Sequence, residues 1–463
     1  DVYKRQELIL HPVGYISLFI FILAYALVVT EEVTHLRKSK PVLFAAGSIW
    51  AMIAWMGSRY DDSHHVEEAI MHAFSEFSQL MLFLLVAMTF INSMTERNVF
   101  NKLRSRLLAQ DYSYRTLFWV TGIISFFLSP IADNLTTALV MCAVVMAVGG
   151  KNKNFVSIGC VNIVVAANAG GAFSPFGDIT TLMVWQADRV EFVQFFWLFL
   201  PSVVNYIIPA FIMSLFIDGS SKDVANPPVQ LKRGAKTIVL LFLVTIFLAV
   251  TFENFLHIPP VFGMMTGLSL LQLFAYYLKT TYKSSSTVIS REGDDQPFGV
   301  FKQIAQAEWD TLLFFYGVIM CVSGLSYIGY LGLLSDSMYP SDPNFLLMTK
   351  EEKLLFLENN QIGFSIANSL MGILSALIDN IPVMFSILQM HNNETMVLSQ
   401  WLLITLTTGV GGSLLSIGSA PGVALMGQAR GMYTFYSHLK WAPVIFIGYI
   451  ASILVHLLIW NII

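Results

Sequence analysis

Two stretches decide the fold: Ser129-Pro130-Ile131-Ala132-Asp133-Asn134-Leu135 and Ser375-Ala376-Leu377-Ile378-Asp379-Asn380-Ile381. Each sits at the centre of an apolar run, 116–149 and 362–390. A membrane-crossing helix takes about 20 residues, so each run is too long for one crossing and too short for two. The Asp-Asn pair, with proline nearby, breaks the helix at mid-run. Non-helical backbone at membrane depth is tolerated only where protein or a cavity surrounds it. Both runs are therefore expected to be re-entrant hairpins that enter and leave on the same side.

The rest of the chain fits a bilayer. Of 463 residues, 56% are apolar and 12% are charged, where a soluble domain carries roughly 25% charged residues. That excludes a soluble globular enzyme, a disordered chain and a nucleic-acid binder. Cys142, Cys160 and Cys321 all lie in apolar runs, which excludes a disulfide scaffold or a Cys-rich metal site. Single spans are expected at 13–29, 41–57, 79–94, 193–217, 236–252, 259–278, 309–335 and 439–463. Two more runs, 155–187 and 397–427, carry Gly, Ser and Pro in the middle and read as spans broken halfway. The fold class is thus an all-α polytopic membrane protein with ten crossings and two hairpins. Segment 218–235 reads as a cytoplasmic linker, 280–300 as a flexible cytoplasmic linker rich in serine, and 97–110 as an interfacial amphipathic helix.

Basic residues orient this arrangement, because cytoplasmic loops are enriched in them. None of the 26 Lys and Arg falls in a span core, and 20 lie on one side. That side is the cytoplasm, which places both termini outside. The chain begins at Asp1 without Met, so a segment upstream is expected to be missing or processed.

The two halves, 13–217 and 236–463, repeat one another. Glu76 through Leu80 matches Glu308 through Leu312, the two hairpin centres match, and Gly170 through Asp178 matches Gly411 through Ser419, at offsets of 232, 246 and 241 residues. Each half holds five crossings and one hairpin. Five is odd, so the second half is inverted, with the broken helices of both halves at the midplane. Inverted repeats with broken helices are characteristic of secondary transporters.

Asp133, Asp178 and Asp379 are the only three of 30 acidic residues deep in apolar sequence, and each sits at a helix break. A carboxylate at that depth costs from about 2.5 kcal/mol upward unless it is protonated or binds a cation. Capping of the second hairpin arms by Asp133 and Asp379 is also expected, but Ser or Asn would cap without a charge. Hard oxygen donors surround the three acids: Asn134, Thr136 and Thr137; Asn168, Ser174, Thr180 and Thr181; Asn380; and Ser413, Ser416 and Ser419. Such donors suit small hard cations. Na⁺ is expected at Asp133, Asp178 and Asp379, with no resident cofactor. His64, His65 and His72, in an acidic stretch with Asp61, Asp62, Glu67 and Glu68, read as solvated loop histidines.

The hairpin signatures at Asp133-Asn134 and Asp379-Asn380, with the segment Asn168 through Thr181, resemble those of NhaD-type sodium/proton antiporters. These belong to the ion transporter superfamily, beside the arsenite permeases. The resemblance covers residues 13–463. It implies a scaffold domain and a transport domain, a homodimer, and elevator-like movement. It carries the family's important polar residues onto Asp133, Asn134, Asn168, Asp178, Thr180, Thr181, Asp379, Asn380, Ser416 and Ser419. The expected function is exchange of Na⁺, or Li⁺, for H⁺ across the bacterial cytoplasmic (inner) membrane, with the lipid bilayer as partner and no enzymatic activity. The alternative is a carrier for arsenite or another small solute on the same fold. An intramembrane aspartyl protease needs Tyr-Asp and Gly-x-Gly-Asp, but the chain has Ala132-Asp133 and Phe176-Gly177-Asp178.

Overall fold

A computed structural model describes residues 8–60, 63–110, 112–150, 152–217, 219, 229–281, 298–339, 348–390 and 396–462. Asp61 and Asp62, most of the 218–235 linker and most of the Ser-rich 280–300 segment lie outside the described residues. Eleven described helices are long and apolar enough to cross a membrane.

In chain order the first half holds α1 (Pro12–Val29), α2 (Glu31–Thr34), α3 (Ser39–Arg59), α4 (Ser63–Glu96) and α5 (Val99–Leu108). Then come α6 (Tyr114–Ala132), α7 (Asn134–Gly149), α8 (Lys153–Gly171), α9 (Ile179–Gln186), a 3₁₀ turn at Phe192–Leu198 and α10 (Phe199–Ser214). The second half holds α11 (Ala235–Leu256), α12 (Pro260–Thr280), α13 (Val300–Ala305), α14 (Trp309–Ile328), α15 (Tyr330–Met338) and α16 (Lys350–Asn359). It ends with α17 (Gln361–Ile378), α18 (Asn380–Leu388), α19 (Leu398–Gly411), α20 (Ala420–Gln428), α21 (Phe435–Leu439) and α22 (Ala442–Ile459).

The interruptions fall where the sequence places polar and small residues. Asp133 alone separates α6 from α7, and Asp379 alone separates α17 from α18. Both have positive φ, 56° and 86°, a conformation that costs a non-glycine residue energy and persists only when its surroundings fix it. The run 155–187 is interrupted between α8 and α9, and 397–427 between α19 and α20.

Three boundaries differ from expectation. The span expected at 79–94 belongs to α4, which has 34 residues and so is about 51 Å long at 1.5 Å per residue. His64, His65 and His72 are therefore helical, not in a loop. The hydropathy reading detects only the apolar part of such a helix. Gly329, at φ 110°, ends α14 within the run 309–335, because glycine adopts this conformation without a Cβ clash. The span expected at 193–217 opens as a 3₁₀ turn.

The chain forms two compact units. One comprises residues 1–74, 111–223 and 313–463; the other comprises 75–110 and 224–312. In the larger unit, α8 is buried at every position from Phe155 to Gly171, and α19 from Ser399 to Gly411. They pack on each other. Their small and apolar residues on all faces suit helices surrounded by protein. Helix α6 packs along α8 and α17 along α19, while α10 pairs with α22. These contacts depend on glycine. A Cβ on Gly170 would lie 2.1 Å from the Phe126 carbonyl oxygen, and one on Gly411 would lie 2.1 Å from that of Gly372. The Trp50 indole N–H donates to the Met320 carbonyl at 2.8 Å, joining α3 to α14.

In the smaller unit α11 and α12 pack together, with Gly263 against the Ala249 backbone and Gly267 against Thr245. This is the small-xxx-small spacing that lets membrane helices approach closely. Arg97 is buried, 3.5 Å from Glu96, with its guanidinium over the Phe298 ring.

Candidate functional site

The two single-residue junctions and the two broken runs meet at Asp178. Asp178 is 5% exposed, because α9 begins here and its N-cap lies within the buried break. Asp178 Oδ1 accepts from the Thr180 backbone N–H at 3.1 Å. Asn134, the first residue of α7, donates its amide to Oδ2 at 2.9 Å. Asn380, the first residue of α18, donates its amide to Oδ2 at 3.0 Å and to Oδ1 at 3.2 Å. One carboxylate thus receives the corresponding asparagine from each sequence half.

Asn168 extends the network. Its Oδ1 accepts from the Asn134 amide at 3.1 Å. Its own amide nitrogen donates to Ser413 Oγ and Ser419 Oγ, both at 2.9 Å. Ser419 is the N-cap position of α20, matching Asp178 at the start of α9. All four potential bonding positions of a buried amide are rarely filled. Asn168 fills three of them inside the site.

Asp133 and Asp379 turn toward their own helices. Asp133 accepts from the Thr136 backbone N–H at 2.7 Å and from the Thr136 hydroxyl at 2.9 Å. Asp379 accepts from the Asn380 backbone N–H at 2.8 Å. Both are half-buried, and both place negative charge at a helix N-terminus, where the backbone dipole favours it. Asp379 acts electrostatically on Asp178. Lys38, just before α3 and outside the span core, acts electrostatically on Asp379.

The other expected residues divide. Thr181 donates its hydroxyl to the Asp178 and Ser174 carbonyls at 2.6 and 2.8 Å. Ser174 donates to the Pro130 carbonyl at 2.9 Å. Both therefore brace the break. Thr137 Oγ1 is buried with no hydrogen-bond partner among the described residues, whereas the Thr180 side chain acts on the Asp178 carboxylate. Ser416 donates to the Met426 sulfur at 3.3 Å and makes no hydrogen bond to the cluster. Residue type alone does not mark Ser129 and Ser375, which donate to the Ala167 and Thr408 carbonyls at 2.6 and 2.8 Å and tie each first arm to its neighbouring broken helix.

Asn caps a helix about as well as Asp, so Asp133→Asn and Asp379→Asn keep the junctions and remove only charge. These variants are expected to insert and unfold like the wild type. Asp133→Leu and Asp379→Leu are expected to lose about 1 kcal/mol of capping each. Thermal unfolding in detergent checks this; equal losses for Asn and Leu would show that the charge, not the cap, holds the junction.

The chain matches the citrate transporter family CitMHS over residues 25–409. It is 54% identical to the Na⁺/H⁺ antiporter NhaD of Vibrio cholerae over 460 residues, covering 96% of this chain and 92% of that protein. It is also 54% identical to the Na⁺/H⁺ antiporter NhaD of Alkalimonas amylolytica, covering 96% and 90%. Sodium/proton antiporter 1 of Arabidopsis thaliana is 30% identical, covering 96% of this chain and 72% of its own length. With the Asp178 cluster built from the very motifs that carried the resemblance, the chain belongs to the citrate transporter family, within its NhaD antiporter group.

Proposed function

We propose that this protein exchanges Na⁺, or Li⁺, for H⁺ across the bacterial cytoplasmic membrane, using Asp178 as the shared binding group. The observation that carries this reading is the meeting of Asn134 and Asn380 on one buried carboxylate. The names of the relatives support it. A carboxylate takes either a proton or a cation, so the two compete for one position. The asparagine amides stabilise the bare carboxylate with N–H donors. A half-turn of either amide presents oxygen instead of nitrogen, which suits a hard cation. Asn168, Thr136, Thr137, Ser174, Thr180, Thr181 and Ser419 complete the proposed site, while Ser416, turned to Met426, stands outside it. Asp133 and Asp379 flank it and raise the local cation concentration through their charge.

The proposed architecture is a pair of inverted repeats. Each has one re-entrant hairpin (α6–α7 and α17–α18) and one broken span. Matched placement of Gly170 and Gly411, of Ser129 and Ser375, and of Asn134 and Asn380 supports it. A multi-pass chain with both ends of this sequence outside, a scaffold and a transport domain, and a homodimer complete the proposal. A citrate-like anion would be repelled by Asp133, Asp178 and Asp379. A carrier for neutral solutes such as arsenite has no use for a buried carboxylate held by N–H groups.

The test is proton exchange in everted membrane vesicles. Adding Na⁺ or Li⁺ at neutral to alkaline pH is expected to dissipate a preformed ΔpH. Arsenite uptake without any such dissipation would sink the proposal.

A further inference from the structure

Ser413 faces two ways. Its hydroxyl accepts from Asn168 inside the cluster, while its carbonyl oxygen lies 2.8 Å from His438 Nε2. The other ring nitrogen, Nδ1, lies 2.7 Å from the Tyr433 hydroxyl. His438 is fully buried, and so is Tyr433. A carbonyl can only accept, so Nε2 carries the proton, and Nδ1 accepts from the tyrosine O–H. The tautomer is thus fixed by its two partners.

This places a chain of hydrogen bonds behind the site, running from Tyr433 through His438 to the Ser413 carbonyl. From the Ser413 hydroxyl it continues through Asn168 and Asn134 to Asp178. The loop 412–419 has backbone bonds of its own: Ser413 N–H to Val410, Leu414 N–H to Gly411 and Gly418 N–H to Leu415. Those are local bonds that shape the turn without locating it. The bond from His438 comes from α21, which packs on α8, the helix that carries Asn168. His438 therefore references the second break to the same helix that the serines must meet.

We propose that His438 is a positioning residue for cation binding: held in one tautomer by Tyr433, it fixes the Ser413 carbonyl so that Ser413 Oγ and Ser419 Oγ meet Asn168. This rests on the reading that the Asp178 cluster holds the transported cation. His438 does not touch the carboxylate. Its loss should weaken Na⁺ binding and leave the maximal exchange rate intact.

The experiment measures Na⁺-dependent ΔpH dissipation in everted vesicles over a range of Na⁺ concentrations. His438→Ala is expected to raise the half-saturating Na⁺ about tenfold, the scale of one buried hydrogen bond, with an unchanged maximal rate. His438→Gln, whose Nε2 can donate to the same carbonyl, is expected to restore half-saturation to near the wild-type value. Tyr433→Phe is expected to raise it about threefold, within the range for a lost net hydrogen bond. Wild-type half-saturation in His438→Ala would overturn the proposal, as would a drop in maximal rate alone. If His438→Ala fails to insert, Tyr433→Phe decides, and unchanged half-saturation there overturns it. Asp178→Asn, run in parallel, separates the two readings. Retained exchange in that variant refutes the cation site itself, whereas lost exchange beside a silent His438→Ala refutes only the role of His438.

Discussion

Asp178→Asn is expected to abolish Na⁺-driven dissipation of a ΔpH while leaving insertion and folding intact. The substitution is nearly isosteric, so the packing around α9 is kept. What changes is the pattern of donors and acceptors. Asn134 and Asn380 both aim amide N–H groups at the carboxylate, and an asparagine there offers one acceptor oxygen and a competing N–H₂. A neutral amide oxygen also holds a cation more weakly than a carboxylate does, and each 1.4 kcal/mol so lost weakens binding about tenfold. The variant also has no proton to exchange. Folding survives because removing a buried charge removes its desolvation cost together with its bonds. The same competition predicts the sign of the pH effect in the wild type. Protons occupy the carboxylate as pH falls, so the half-saturating Na⁺ rises with acidification. Wild-type exchange in Asp178→Asn, or half-saturation independent of pH, would exclude Asp178 as the shared group.

The second large effect is structural. Gly170→Ala and Gly411→Ala each place a methyl group 2.1 Å from a backbone carbonyl oxygen, of Phe126 and of Gly372. A flexible side chain could move aside, but a helix backbone cannot without separating the two helices. Overpacking a tight core costs about 1–3 kcal/mol, and backbone contacts place these variants at the upper end. About 1 kcal/mol shifts the unfolding midpoint by roughly 2–4 °C in a domain of 150–250 residues. Each variant is therefore expected to unfold well below the wild type in detergent. Gly47→Ala is the control, because nothing lies within 4 Å of a Cβ there. Alanine gains roughly 0.8–1.0 kcal/mol over glycine in a helix interior, so its midpoint is expected to hold or rise. Equal midpoints for all three variants would show that the α6–α8 and α17–α19 contacts are not close-packed.

Much of this site was legible in the sequence because polar residues inside apolar runs have few reasons to be there. Asp133, Asp379, Asp178 and the Gly-rich segments marked the helix breaks, and the structure interrupts its helices at those places. The ranking of the three acids was not legible. Residue type and depth made them equivalent, and only the fold shows that Asp133 and Asp379 cap their own helices while Asp178 receives both asparagines. Ser416 matched the pattern of Ser413 and Ser419 but points elsewhere, since a broken segment has no fixed periodicity from which to read direction. The full extent of α4 was hidden because its first turns are polar, and a polar helix resembles a loop to any apolar-run criterion. His438 left no trace, because a single histidine among aromatic residues carries no spacing signal.

The junctions at Asp133 and Asp379 have a mechanical consequence. Each joins two helices through one residue, whose φ is held at an unusual value and whose carboxylate is bonded to the next helix. A hinge needs slack, and one clamped residue supplies none. Each pair of helices therefore behaves as a stiff elbow that holds both arms and their asparagine as a single part. Moving surfaces then have to be sought at the periphery of these elbows, away from the Asp178 cluster.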